Sequence, residues 1–94
     1  MLAGTIHSPL KAEDRVFKVQ LEKRDMEMLS MIAAGYTNRR IGERFFLTEG
    51  TVGNRLAGIY KILGVGNRTE AIVTALKGNM INSSTINHYV RVAV

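Results

Sequence analysis

Thr37 and Thr48 stand eleven residues apart, and each precedes a stretch with apolar residues at helical spacing. Threonine in that place is a good N-cap, because its side-chain oxygen accepts a backbone N–H of the first turn. The pair confines the chain to a short helix over Asn38–Phe45, a turn at Phe46 and Leu47, and a longer helix over Glu49–Leu63 ended by Gly64. Ile41 and Phe45 form the buried side of the short helix. Val52, Leu56, Ile59 and Leu63 share one face of the longer one. Gly42 costs the short helix about 1 kcal/mol relative to alanine. A glycine kept there predicts close backbone approach, with another helix crossing tightly.

Two further helices flank this pair. Met28, Leu29, Ile32 and Ala33 recur at helical spacing, so a helix is expected over Lys23–Ala34, with Gly35 in the left-handed cap position. Its N-cap is Glu22, a weak one, so the first turn is expected to be soft, with Leu21 packing back on it. Asn67 followed by Glu70 opens the other helix, whose inward face would be Ala71, Ile72, Ala75 and Leu76, ending at Gly78. The expected organisation is a linker or leader over 1–20, an all-α four-helix domain over 21–78, and an extension over 79–94. That extension is polar, then β-prone at Tyr89, Val90, Val92 and Val94, and is expected to be flexible.

With 94 residues the chain holds one small domain. The absence of cysteine excludes disulfides and thiolate zinc sites. His7 and His88 have no carboxylate neighbours at ligand spacing, so neither a metal nor a cofactor is expected. No apolar run approaches the ~18–20 residues of a membrane span, and the first ten residues do not read as a signal peptide; a cytoplasmic chain is the default. The segment Gly64-Val65-Gly66-Asn67 lacks the strand and lysine of a phosphate loop, and no carboxylate pair suits acid–base work, so no enzyme is expected. Charge placement is more telling. Between Tyr36 and Lys61 lie Arg39, Arg40, Arg44, Arg55 and Lys61 against only Glu43 and Glu49, within a chain of net charge +5. A basic stretch on two helices joined by a tight turn is the pattern of a helix-turn-helix unit, whose second helix lies in the DNA major groove.

The residues from Leu21 to Lys77 resemble the DNA-binding domain of LuxR/NarL/FixJ-type transcription regulators. The carriers are Leu21, Arg24 and Asp25; then Met28, Leu29, Met31, Ile32, Ala33 and Gly35; Thr37, Asn38, Arg39, Arg40, Ile41 and Gly42; Thr48, Thr51, Val52, Gly53, Asn54 and Arg55; and Ile59, Ile62, Leu63, Gly64, Val65, Arg68, Thr69, Glu70 and Ala71. Their order and spacing carry the resemblance together. It departs at Glu22 for a threonine cap, Arg40 for a glutamate, Gly42 for an alanine (a tolerable swap), Gly53 and Ile62 for lysines, and Arg55 for a histidine. The sigma-factor promoter-recognition domain shares the opening and the Thr-Val pair, but the Leu63-Gly64-Val65 junction running into Arg68-Thr69-Glu70-Ala71 favours the former. A protein-interaction module with the same fold is the other alternative.

The resemblance implies sequence-specific binding of double-stranded DNA as the output domain of a bacterial transcription regulator, typically a two-component response regulator, with contact to RNA polymerase. Asn54 is the best base-edge candidate, since an amide reads adenine bidentately; the alternative is a solvated asparagine. Thr51 either bonds Thr48 locally, the favoured reading, or approaches a base. Val52 either packs in the core, again favoured, or meets the groove. Gly50 allows close backbone approach. Thr37, Asn38, Arg39, Arg40, Arg55 and Lys61 are the phosphate candidates. Asp25 and Arg68 are expected to be structural, either as a pair tying the first helix to the start of the fourth or as two independent surface charges, and Gly35 and Gly64 to be structural. Val73, Thr74 and Lys77 are left for a dimer contact, a patch small enough that the chain is expected to be monomeric when free and dimeric on DNA.

Overall fold

The computed structural model describes residues 21–93. The leader reading of 1–20, His7 and the final Val94 lie outside the described residues. Five helices follow one another: α1 Lys23–Ala33, α2 Asn38–Phe45, α3 Glu49–Leu63, α4 Arg68–Lys77 and α5 Ser83–Ala93, with no strand among the described residues. None is long and apolar enough to cross a membrane.

Three caps do what their residue types dictate. The Oγ1 of Thr37 accepts the backbone N–H of Arg40 at 3.1 Å, that of Thr48 accepts the N–H of Thr51 at 3.1 Å, and the Oδ1 of Asn67 accepts the N–H of Glu70 at 2.9 Å. α1 ends on Gly35 in the left-handed region, at φ 95°, where a Cβ would be strained.

The core is centred on α1. Met28, Leu29, Met31 and Ile32 meet Ile41 of α2, Val52, Leu56 and Ile59 of α3, and the two small residues Ala71 and Ala75 of α4. Each buried Met, Leu or Ile contributes roughly 1.5–3 kcal/mol. α1 is covered on more than one side, since α4 and α5 both pack on it. Five consecutive residues, Met28 to Ile32, are buried. A helix hydrophobic around most of its circumference is one the fold encloses.

The fifth helix corrects the reading of the C-terminal extension. Residues 79–94 were expected to be flexible and β-prone, yet Ser83–Ala93 is helical. Asn82 starts it, its Oδ1 accepting from the N–H of Thr85 at 2.9 Å and from the Thr85 hydroxyl at 3.0 Å. Ile86, Tyr89 and Ala93, at helical spacing, pack on the core, with Tyr89 buried. Burial of this face outweighs the β-preference of Tyr89, Val90 and Val92. The signal in the sequence was the run Met28–Ala34, apolar at every position but Ser30 and so too apolar for a helix buried on one side.

Two smaller expectations change as well. Leu76 does not face inward: it is 42% exposed beside Val73 at 43%, and the buried residues of α4 are Ala71 and Ala75. The approach predicted at Gly42 is real, but its partner is the turn rather than another helix. A Cβ on Gly42 would lie 2.5 Å from the Leu47 carbonyl oxygen, and the N–H of Leu47 donates to the Gly42 carbonyl at 2.8 Å. The turn folds back onto its own helix. The alanine swap is therefore not free here.

Candidate nucleic-acid interface

α2, the turn and α3 form one packed unit. Phe46 makes the reversal, at φ 59° and ψ 43°, and the residue is 94% exposed. Sequence reasoning placed Phe46 in the turn but did not single out its exposure. Val52, Leu56 and Ile59 turn inward, so the opposite face of α3 is a solvent-facing stripe of Gly50, Thr51, Asn54, Ala57, Gly58 and Lys61. Its side chains are few and small.

Each expected base contact can now be placed. Asn54 is exposed in the middle of the stripe. Gly50 is exposed, with nothing near the position of a Cβ. Thr51 makes the local bond: the Thr48 hydroxyl donates to Thr51 Oγ1 at 2.8 Å. Val52 is fully buried and is removed from the base-contact set, since a side chain with no accessible surface touches no groove.

The cations divide into those held by the fold and those left at its surface. Arg55 is held: its Nε donates to Asp25 Oδ1 at 2.7 Å and its Nη2 to Glu22 Oε1 at 3.2 Å. The hydrogen bond to Asp25 raises the guanidinium pKa above its ordinary value, more than burial lowers it, with the nearby charges of Asp25 and Glu22 adding to the rise. Arg55 thus joins the middle of α3 to the start of α1, and 38% of its side chain stays exposed. Asp25 also accepts the N–H of Glu22 at 3.0 Å, which braces the turn expected to be soft.

Arg68 is structural too, but a pair with Asp25 does not form. It donates instead to the Tyr36 carbonyl at 3.1 Å and to Asn38 Oδ1 at 3.0 Å, so it fixes the α1–α2 connection and commits the Asn38 side chain. Lys61 stands exposed at the far end of the α3 stripe. Arg39 is exposed and meets Glu43 at 3.6 Å, a surface pair of the kind worth well under about 1 kcal/mol and easily exchanged for another anion. Arg40 is also exposed, but its Nη2 reaches the Ala93 carbonyl at 3.3 Å and its guanidinium lies over Tyr36. On α4, Val73 and Lys77 are exposed and Thr74 is half-buried.

A fold of this shape with these residues matches one family. The profile described as "Bacterial regulatory proteins, luxR family" aligns with residues 19–75. The chain belongs to the LuxR family. It carries that family's helix-turn-helix DNA-binding domain. Among its LuxR-family relatives, the transcriptional regulatory protein LiaR of Bacillus subtilis is 37% identical over 83 residues, 86% of this chain and 39% of LiaR. The transcriptional regulatory protein DegU of Brevibacillus brevis is 36% identical over 61 residues, 65% of this chain and 26% of DegU. The response regulator protein VraR of Staphylococcus aureus is 38% identical over 61 residues, 65% of this chain and 29% of VraR. The chain thus spans well under half the length of these curated relatives. No solved structure matches it.

Proposed function

We propose that the chain binds double-stranded DNA sequence-specifically in the cytoplasm, as the output domain of a bacterial transcription regulator of the two-component kind. The observation that carries this reading is the exposed α3 stripe, opened by the Thr48 cap and set on a core that leaves Asn54 and Lys61 outward. In the major groove, Asn54 reads a base edge and Gly50 lets the backbone approach closely, while Thr51 adds its exposed side chain. Arg39, Arg40 and Lys61 meet phosphates, and the first turn of α2, after Thr37 and at Asn38, offers backbone N–H donors. Arg55 acts on DNA through the placement of α3.

Two copies are assembled by the operator. Val73, Thr74 and Lys77 of α4, with Leu76 now beside them, face the partner. Such a patch falls well short of the ~1,200 Å² of a stable interface, so the free chain is monomeric and dimerises on DNA. Selection from a random duplex pool at low salt tests the whole reading. Enrichment of a two-fold sequence, with affinity falling steeply as salt rises, is the expected result. A folded chain that enriches nothing overturns the reading in favour of an interaction module.

A further inference from the structure

α5 runs antiparallel to α2 and is tied to it at two levels. In the first turn of α2, Arg40 reaches the carbonyl of Ala93, the last residue of α5, at 3.3 Å. One turn along α2, the Arg44 guanidinium lies 5.6 Å from the ring centroid of Tyr89, one turn back along α5. Tyr36 forms the floor between the helices. Its hydroxyl donates to the Tyr89 carbonyl at 2.9 Å, its ring lies 5.3 Å beneath Arg40, and it meets Tyr89 edge to face at 6.0 Å. Two exposed arginines therefore lie on two largely buried tyrosine rings in a seam between helices.

A guanidinium resting on an aromatic face keeps N–H groups at its edge for an oxyanion, and its rotamer is already restricted. Arg40 and Arg44 are four residues apart and stand on one side of α2. Arg91, exposed in the last turn of α5, is two residues from both Tyr89 and Ala93, so it adds a cation on the outward side of that helix, and residues 71–94 contain no acidic side chain. On α2 itself the one acid, Glu43, faces Arg39. The family profile covers residues 19–75 and so does not include α5.

We propose that the seam carries the DNA-backbone contact of the first turn of α2 further along that helix, with α5 orienting Arg40 and Arg44 and with Arg91 adding charge on the outward side of α5. The inference rests on the DNA-binding reading above: the first helix of a helix-turn-helix crosses the backbone, so a helix alongside it meets the flanking phosphates. Tyr36 and Tyr89 are positioning residues.

The test is the salt dependence of duplex binding by the full chain and by three variants, each checked for an unchanged melting curve. Arg44→Ala and Arg91→Ala should each reduce the slope of log affinity against log salt by about 0.9, the value of one phosphate contact, with the selected sequence unchanged. Tyr89→Leu keeps every charge but removes the ring under Arg44, and should weaken binding while the sequence preference stays. If Tyr89→Leu fails to fold, the two surface variants decide. Slopes equal to that of the unmodified chain, while that chain binds, overturn the seam and leave the DNA reading standing. A rise in affinity on Arg44→Ala overturns it too, because α5 would then shield the arginines. An unmodified chain that binds no duplex at low salt removes the DNA reading and the seam together.

Discussion

Arg55 Nε lies 2.7 Å from Asp25 Oδ1, and this contact fixes the recognition helix to the first turn of the domain. The carboxylate is almost fully buried and the guanidinium is 38% exposed. Removing the arginine leaves a buried charge without its partner, which costs about 3–5 kcal/mol when the pair is wholly buried and less at this half-open site. Arg55→Ala should therefore lower stability by about 2 kcal/mol or more in urea titrations. A double-mutant cycle should find coupling between Asp25 and Arg55. Between Asp25 and Arg68 it should find none beyond the ~0.3–0.5 kcal/mol scatter of independent sites.

Gly42→Ala weighs two opposing effects. Alanine gains about 1 kcal/mol of helix propensity, but its Cβ would stand 2.5 Å from a backbone oxygen in the turn. Displacing that backbone costs roughly 1–3 kcal/mol. The clash should win, with a lowered Tm, and Gly42→Ser should do no better.

Tyr89 makes stability depend on pH in the alkaline range. Burial raises its phenol pKa above 10.0, as does the charge of Glu27, while Arg44 opposes them. The folded state thus holds the proton more tightly than the unfolded chain. The corresponding stability is fully present below the unfolded pKa of about 10 and is lost as pH rises through the folded value. Melting temperatures of the unmodified chain should fall above about pH 10 more steeply than those of Tyr89→Phe.

On DNA, Asn54→Ala should relax preference at one position of the half-site by about 1–3 kcal/mol, read by competition between single-base variants. Lys61→Ala should instead weaken binding to all sequences alike and reduce the salt slope by about 0.9.

Sedimentation should find the free chain monomeric at micromolar concentration. Val73→Lys with Leu76→Lys should leave binding to a single half-site unchanged and reduce the joint occupancy of two. A dimer persisting at micromolar concentration in both forms would place the contact elsewhere.

What the sequence made legible was local. Thr37, Thr48 and Asn67 act on N–H groups three residues away, so the starts of α2, α3 and α4 could be read directly. The inward face of α3 followed from its period, which also put Val52 inside and Asn54 outside. What was not legible depended on distant partners. Asp25 had two arginines of equal charge to choose from, and thirty residues separate it from the one it takes. Leu76 and Ile72 look equivalent along the helix until the two alanines bring α4 against α1. α5 owes its form to the side of α1 it covers, and segments with its composition adopt strands elsewhere.

The enclosure of Met28–Ile32 also sets the order in which the molecule opens. Amide protons in the middle of α1 exchange with solvent only when neighbouring helices have left, so their protection reports global unfolding. Detachment of α5 alone is a smaller event. It bares the side of α1 at Met26, Glu27 and Ser30 that lines the cleft with Tyr89, while α2, α3 and α4 stay packed. Deuterium uptake would thus distinguish two openings in this one domain, with α5 the earlier to exchange and the centre of α1 the last.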